Sequence, residues 1–387
     1  MNNFKFYNPV KIIFGKGQIA ELANEVPKGA RVLMTYGGGS IKKNGVYDQV
    51  LAALSNNTVV EFGGIEPNPH YETLMKAVKL GQEQNIDFIL SVGGGSVLDG
   101  TKFIAAAMKF EHGDPWKLLS EKATYKATAA VPFGAVLTLP ATGSEMNSGA
   151  VITRVETKEK LSFGSPFTFP RFSVLDPETC FTLPPRQISN GIADAFTHVM
   201  EQYLTYPVNA PLQDRIAEGI LLTLIEEGPK VLKNPSDYDA MANFMWSATM
   251  ALNGLISTGV PADWATHMIG HELTALHGID HARTLAIVLP SLLRYKSEAK
   301  KEKLLQYGER IWNITEGNEA ERIEATVQAT VNFFESLEIP TKLKDYDVNR
   351  DTIKEIVDRF QKRGVKNLGE RADIQAEDVE KILEMSL

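Results

Sequence analysis

The sequence contains very little cysteine: Cys180 is the single example in 387 residues. One cysteine cannot form a disulfide within the chain, and it excludes zinc or iron–sulfur sites built from several thiolates. No apolar run approaches the ~18 residues that a membrane-spanning helix needs, so we expect no span. The first residues lack a charged-then-apolar leader, so we expect no signal peptide and a cytoplasmic protein.

Basic residues are also scarce relative to acidic ones. The chain has 40 Lys and Arg against 48 Asp and Glu, a formal net charge of −8 at pH 7. An acidic chain without a block of basic residues is a poor partner for nucleic acid or for an anionic membrane surface. With 43% hydrophobic and 23% charged residues, the chain can bury a sizeable core. These figures indicate a globular protein, large enough to be a two-domain enzyme.

The first part of the chain alternates strand and helix signals. Apolar runs at 31–36, 58–62 and 87–92 read as buried strands, and helical spacing follows each of them. Strands that alternate with helices of ~10–15 residues are typical of βαβ units and a parallel sheet. Because both faces of such a sheet are covered, its strands are continuously apolar, as these are.

The pattern changes near residue 180, where helical spacing replaces strand signals. We expect an α/β domain over residues 1–180 and a helical domain over 181–387, joined near the stiff segment Thr182-Leu-Pro-Pro185. The predicted helices of the second domain are 187–204, 211–227, 238–257, 262–276, 285–295, 299–308, 319–337, 351–363 and 376–385.

Two glycine-rich turns repeat one design. Gly37-Gly38-Gly39-Ser40 and Gly93-Gly94-Gly95-Ser96 each follow a predicted buried strand and precede a helix. Glycine lets the backbone approach a ligand, and the helix N-terminus offers free N–H groups, a combination that suits phosphate. The segment 95–102 also resembles a P-loop with Thr and Lys in reversed order. The alternative is a tight strand-to-helix connection without a ligand.

Four of the seven histidines fall between positions 267 and 281. His267 and His271 are four residues apart, as are Asp194 and His198, so each pair shares one face of a predicted helix. Burying a carboxylate and imidazoles among apolar neighbours requires partners, and a metal supplies one. One oxygen and three nitrogen donors suit Zn²⁺ or Fe²⁺. The alternative for each pair is an ordinary hydrogen-bonded helical pair.

Three motifs together resemble a known family. They are Val174-Leu-Asp-Pro-Glu178, Thr182-Leu-Pro-Pro185 and Asp194-Ala-Phe-Thr-His198-Val-Met-Glu201-Gln-Tyr203, and the likeness extends over nearly the whole chain. The sequence resembles the iron-containing (group III) alcohol dehydrogenases, in particular the bacterial NADPH-dependent aldehyde reductases and butanol dehydrogenases.

The resemblance implies a fold and a set of site residues. The implied fold is a Rossmann-like α/β domain followed by an all-α metal-binding domain, the dehydroquinate synthase-like arrangement. One divalent metal, Zn²⁺ or Fe²⁺, would be held by Asp194, His198, His267 and His281. His271 would line the substrate pocket, where it either relays a proton or only contacts substrate. The implied cofactor-binding residues are Gly37, Gly38, Gly39, Ser40, Lys43, Asn68, Gly94, Gly95, Ser96, Val97, Asp99, Thr138, Thr142, Asn147, Gly149 and Lys160.

The implied function is hydride transfer between NADP(H) and small aldehydes or primary alcohols. NADP(H) is favoured because the turn at 37–40 has no carboxylate to repel a 2′-phosphate, while Lys42 and Lys43 lie nearby. We further expect a homodimer. The alternatives are a zinc polyol (glycerol-type) dehydrogenase of the same superfamily, a metal hydrolase, and a metal-stabilised binding protein without catalysis.

Overall fold

The structure, a computed structural model, describes residues 1–387. It divides into two compact units that are each discontinuous in sequence. The sheet unit comprises Tyr7–Pro184 and Asn234–Asn253, and the helical unit comprises Met1–Phe6, Pro185–Lys233 and Gly254–Leu387. The division at residue 180 remains a prediction about domain organisation. None of the helices combines the length and the apolar character that a membrane span requires.

The strands all belong to the sheet unit. In chain order they are β1 (Lys11–Phe14), β2 (Arg31–Tyr36), β3 (Thr58–Phe62), β4 (Phe88–Gly94), β5 (Phe133–Leu139), β6 (Gly149–Arg154), β7 (Glu159–Gly164) and β8 (Phe172–Leu175). Six of them form a parallel sheet in the order β1-β8-β5-β4-β2-β3, and β6 and β7 form a separate antiparallel pair. The predicted parallel sheet is therefore confirmed.

The helices extend over both units. In chain order they are α1 (Leu22–Glu25), α2 (Val46–Ala53), α3 (Tyr71–Glu83), α4 (Gly95–Ala107), α5 (Lys117–Ser120), α6 (Pro185–Tyr203), α7 (Pro211–Lys233), α8 (Tyr238–Ala251), α9 (Ala265–His277), α10 (His281–Tyr295), α11 (Lys301–Trp312), α12 (Glu319–Ser336), α13 (Arg350–Lys362) and α14 (Ala376–Glu384). Of the predicted C-terminal helices, the one that became α8 groups with the sheet unit.

Both faces of the sheet are covered, because successive side chains on a strand point to opposite sides. Leu33 and Ile89 pack into the core on one face, which also contains α3 and α4 residues. Val32 and Leu90 pack into the core on the other face, with α1 and α2 residues. This burial on both sides explains the continuously apolar strands in the sequence.

The strand order places a topological switch between β2 and β4. After β2 the chain passes through α2 to β3 on one side, whereas after β4 it passes through α4 to β5 on the other side. In open α/β sheets, the crevice outside the carboxyl ends of the strands at such a point is the usual ligand site. The first glycine-rich turn directly follows β2, and the second spans the end of β4 and the start of α4.

Candidate functional site

Three helices of the helical unit bring the predicted metal-binding residues together. Asp194 and His198 lie one turn apart on α6, and His267 lies in the first turn of α9. Helix α9 ends at His277, and the left-handed backbone of the next residue, Gly278 (φ +67°), lets the chain turn back. As a result, His281 is the first residue of α10. The cluster between 267 and 281 is therefore a helix–turn–helix that presents histidines from both helices.

One oxygen of Asp194 is common to all the predicted ligands. Its Oδ1 lies 3.7 Å from Nε2 of His198 and 3.7 Å from Nε2 of His281. The same oxygen lies 3.9 Å from Nε2 of His267. Donor atoms bound to one Zn²⁺ at about 2.0–2.2 Å are roughly 3–4 Å from each other. The spacing therefore fits donors arranged around one ion.

The burial of Asp194 indicates the same need for a cation. Its Oδ1 is buried and has no hydrogen-bond partner, a costly state for a carboxylate oxygen. The donor atoms of Asp194, His267 and His281 lie within 4.8 Å of one another. His198 is near Asp194 but is not part of this mutually close trio. The donor set fits the Zn²⁺ or Fe²⁺ that the resemblance implies.

Glu201 is a site residue that the sequence analysis did not identify. It is buried on α6, and Nδ1 of His267 is hydrogen-bonded to its Oε2. Its Oε1 accepts a hydrogen bond of 2.7 Å from the backbone N–H of Thr266. Burial, together with the charge of nearby Asp263, raises the pKa of Glu201. The available signal was its spacing, because position 201 is two turns beyond Asp194 on the same helix face.

Trp264 precedes α9 with an unusual backbone conformation. Its φ of +64° is in the left-handed region, which a bulky side chain adopts at a cost of order 1–3 kcal/mol. Its ring centroid lies 5.4 Å from that of His267 and 6.3 Å from that of His198. The indole therefore forms an aromatic wall beside the candidate ligands.

His271 lies beside this set rather than in it. It is buried one turn after His267 on α9, and its ring centroid lies 5.2 Å from that of His281 and 6.4 Å from that of His267. This position is compatible with either role that the sequence left open, proton relay or substrate contact.

In the sheet unit, the second glycine-rich turn forms a close strand-to-helix junction. Strand β4 ends at Gly94 and α4 begins at Gly95. A Cβ at Gly95 would lie 2.4 Å from Oγ1 of Thr142, and one at Gly94 would lie 2.9 Å from Cβ of Leu139. Only glycine fits here, and the first turn of α4, which includes Ser96 and Val97, leaves backbone N–H groups available to a ligand.

A cation lies beside that helix N-terminus. Nζ of Lys160 donates a hydrogen bond of 2.9 Å to Oδ1 of Asn68, whose own backbone N–H donates to Oγ of Ser96 at 3.3 Å. Lys160 is buried, and Asn68 adopts a left-handed φ of +55°. A buried ammonium group next to free helical N–H groups is suited to an anion such as a phosphate.

The two lysines next to the first glycine-rich turn, Lys42 and Lys43, have different surroundings. Nζ of Lys42 lies 2.9 Å from Oε2 of Glu61 and is stacked over the rings of Tyr36 and Tyr47. Lys43 is exposed and makes no ion pair. Of the two cations expected near this turn, Lys42 is thus already paired with a carboxylate, whereas Lys43 is not; that they bind a phosphate remains a prediction.

The loop after β5 is stabilised from inside the unit. Asn147 donates from Nδ2 to the backbone oxygens of Gly143 and Leu252, and its Oδ1 accepts from the N–H of Gly149. Asp99 accepts hydrogen bonds from Ser144 and from the backbone of Val151, and burial raises its pKa. Thr138 is buried at the end of β5. The side chains of Asn147 and Asp99 thus shape the loop rather than extend from it.

The sequence did not reveal that Lys102 has a structural role. Its position excludes the phosphate-binding role of a P-loop lysine. It is fully buried, and its ammonium group donates to Ser144, Asn147 and the backbone of Gly149. A P-loop lysine must reach a phosphate, whereas this one is used within the protein.

Comparison with known protein families agrees with this geometry. The family model described as iron-containing alcohol dehydrogenase matches residues 9–177, and that of the Fe-containing alcohol dehydrogenase C-terminal region matches residues 188–387. The chain belongs to the iron-containing alcohol dehydrogenase family. The family and fold class predicted from the sequence are thereby confirmed.

Individual members of this family match over almost the whole chain. The NADPH-dependent aldehyde reductase YqhD of Escherichia coli is 59% identical, over 99% of this chain and 99% of that protein. A probable NADH-dependent butanol dehydrogenase of Bacillus subtilis is 43% identical over 100% of both chains.

Solved structures match as closely. A crystal structure of YqhD superposes with a TM-score of 0.98 at 58% identity, covering 100% of this chain and 99% of that one. The NADH-dependent butanol dehydrogenase A of Thermotoga maritima superposes with a TM-score of 0.95 at 37% identity, with the same coverage. The chain is therefore an oxidoreductase of the alcohol dehydrogenase type, and the hydrolase and non-catalytic alternatives are set aside.

Proposed function

We propose that the protein is an NADPH-dependent reductase of small aldehydes, which oxidises primary alcohols in the reverse direction. One divalent metal would be held by Asp194, His198, His267 and His281. The observation that carries this proposal is that three imidazole Nε2 atoms meet at one buried carboxylate oxygen of Asp194. The relatives support the substrate class, since they are an aldehyde reductase and butanol dehydrogenases.

When bound, the metal supplies a Lewis acid for the carbonyl oxygen and the reduced nicotinamide supplies the hydride. The chain's own residues would hold the metal-binding side chains in place. They would also orient the substrate beside the metal and exclude water. Trp264 shields one side of the ligand set with its ring. The donor set favours Zn²⁺ or Fe²⁺ over Mg²⁺, and metal analysis of the purified protein decides between these two.

Reduction of a carbonyl to an alcohol also requires a proton. We assign its delivery to His271, which is buried beside His281 but whose imidazole is not among the proposed ligands. An imidazole can hold and release a proton near neutral pH, which an alkoxide product requires.

The cofactor is proposed to bind at the switch point of the sheet unit. The first turn of α4, together with Lys160, would hold the pyrophosphate, because backbone N–H groups and a buried ammonium converge there. The turn at residues 37–40 and Lys43 would hold the adenosine 2′-phosphate. Asp99, Thr138, Thr142, Asn147 and Gly149 would shape the loop around the cofactor.

We also propose a cytoplasmic homodimer. Three large aromatic side chains near the chain start are exposed: Phe4 by 53%, Phe6 by 49% and Tyr7 by 80%. Three exposed aromatic side chains within four consecutive residues support an interaction surface at this segment. Light scattering of the purified protein measures the oligomeric state, and a monomer at micromolar concentration would contradict this part.

A steady-state assay tests the function directly. NADPH oxidation is followed with a panel of aldehydes, together with the metal content of the same sample. His267→Ala should lose metal and turnover but retain NADPH binding, because the proposed cofactor residues all belong to the sheet unit. His277→Ala is the matched control, since His277 is an exposed histidine of the same helix that is hydrogen-bonded to Thr352. Full activity in metal-free His267→Ala protein would contradict the proposal.

A further inference from the structure

We propose that Glu201, Asp263 and Lys300 form a buried support that orients the metal ligand His267. They are positioning residues, because none of them belongs to the proposed ligand set. The inference rests on the metal-binding role of His267 proposed above. It adds three residues, from separate parts of the helical unit, that determine the orientation of His267 and thereby the metal affinity of the site.

The first part of this support is the contact between Glu201 and His267. An imidazole has two nitrogens, and the one that binds a metal is determined by the hydrogen bond of the other. Here Nδ1 of His267 is bonded to Glu201, which leaves Nε2 on the side of Asp194, 3.9 Å from its Oδ1. A carboxylate that accepts from a ligating histidine fixes its tautomer and ring orientation and strengthens it as a donor.

The second part is the backbone that leads into α9. The N–H of Asp263 donates to the backbone oxygen of Glu201 at 2.8 Å, and Oδ1 of Asp263 accepts from the N–H of Ala265 at 2.9 Å. These bonds flank Trp264, whose left-handed backbone would relax if it were not held. Because His267 follows within three residues, the path of this segment sets the position of its ring.

The third part is Lys300, which is only 2% exposed. Its Nζ lies 2.8 Å from Oδ2 of Asp263, and it donates to the backbone oxygen of Leu204 at 2.6 Å and to Oε2 of Glu370 at 2.8 Å. An ammonium group has three donors, so all of them are used. Leu204 directly follows α6, and Asp263 directly precedes the turn into α9. Lys300 therefore joins the ends of the two helices that carry Asp194 and His267.

The experiment measures metal binding rather than activity alone. Metal-depleted protein is titrated with Zn²⁺ in competition with a chromophoric chelator, and the visible spectrum of the Co²⁺-substituted protein reports ligand geometry. The variants are Glu201→Gln, which keeps the side-chain volume, and Lys300→Met. The control is Glu272→Gln, which removes another buried carboxylate of the helical unit, on α9 itself, where Arg359 and Arg363 bind it.

We expect Glu201→Gln to weaken Zn²⁺ binding about 10–100-fold and to shift the Co²⁺ bands. Lys300→Met should weaken binding and shift the bands in the same direction, whereas Glu272→Gln should leave both unchanged. If Lys300→Met does not fold, Asp263→Asn weakens the same ion pair with a smaller change.

Two contrary results are distinguishable. Wild-type protein that binds no Zn²⁺ or Fe²⁺ would contradict the proposed function itself. Wild-type protein that binds metal, with unchanged affinity and Co²⁺ spectrum in Glu201→Gln, would overturn this inference and leave the proposed function intact. A loss of affinity that is equal in Glu272→Gln would also overturn it, because removal of any buried carboxylate of the helical unit would then have the same effect.

Discussion

The ammonium nitrogen of Lys102 lies 3.0 Å from Oδ1 of Asn147, in the interior of the sheet unit. The same nitrogen is 2.7 Å from Oγ of Ser144 and 2.7 Å from the backbone oxygen of Gly149. One buried lysine thus anchors the loop between β5 and β6, which contains the proposed cofactor residues Thr142 and Asn147. The position of this loop depends on a charge that has no direct contact with solvent.

Replacing Lys102 by Met should therefore destabilise the protein and weaken cofactor binding. Loss of one member of a buried charged network typically costs about 3–5 kcal/mol, because the remaining groups stay buried without compensation. Here Asp99 and Glu145 would lose the nearby positive charge. Denaturant unfolding measures the stability, and NADPH fluorescence titration measures the affinity. Wild-type NADPH affinity in a folded Lys102→Met protein would show that the loop does not need this anchor.

The depressed pKa of Lys102 should make the free energy of unfolding depend on pH. Burial lowers the pKa of Lys102 from 10.5 to about 8. Between these values the unfolded chain binds more protons than the folded one, so the stability contributed by this position rises with pH. Wild type should gain at most about 3 kcal/mol relative to Lys102→Met between pH 8 and 10.5. Unfolding curves at several pH values measure this difference, and a constant difference would contradict a depressed pKa.

Gly38→Asp should reduce the preference for NADPH over NADH. A Cβ at Gly38 would meet no atom within 4 Å, whereas Gly39 has a φ of +89°, so a side chain there would strain the backbone. A carboxylate in this turn would repel the 2′-phosphate, and the ratio of kcat/KM for the two cofactors should fall about tenfold or more. Gly38→Asn, equal in size but uncharged, should retain most of the preference. Equal ratios in wild type and Gly38→Asp would place the 2′-phosphate elsewhere.

His271→Ala should lower kcat without releasing the metal. General acid–base groups typically contribute about 10²–10⁴-fold to the rate, and His271 is not one of the proposed ligands. Steady-state kinetics with metal analysis of the same sample provides the measurement. A change confined to KM would instead assign His271 to substrate binding.

Cys180 should be inert in the folded protein. Burial raises its pKa to about 12, so almost no thiolate exists at neutral pH. Ellman's reagent should detect no thiol in the native state and one thiol per chain after denaturation. Rapid labelling of native protein at neutral pH would contradict this.

Most of the secondary structure follows from local sequence patterns. The apolar runs predicted as strands became β2, β3 and β4. The helical spacing predicted after the second run became α3, which buries Leu74, Ala77, Val78 and Gly81. These elements could be predicted because hydrophobic periodicity is read within a few turns of chain. Helix α10 starts at His281, four residues before the predicted start at 285. This start was harder to predict because it depends on the turn at Gly278.

The candidate metal ligands could be predicted from the sequence for a similar reason. Asp194 and His198 are four residues apart, and the other ligands lie within one short segment, so the clustering is visible in the sequence itself. The supporting residues Glu201, Asp263 and Lys300 could not be predicted in this way. Lys300 is 96 residues from Leu204 and 70 from Glu370, and no periodic pattern joins positions so distant in the chain.

The sequence by itself therefore determined the family, the parallel sheet, the helical second part and the ligand residue types. Only the tertiary structure decided which nitrogen of His267 faces Asp194, that Lys102 is an internal anchor, and that Lys42 is already paired with Glu61. The physical reason is that residue types and local spacing record hydrophobic burial and helical faces. Hydrogen bonds and ion pairs between distant segments depend instead on where packing places individual polar atoms.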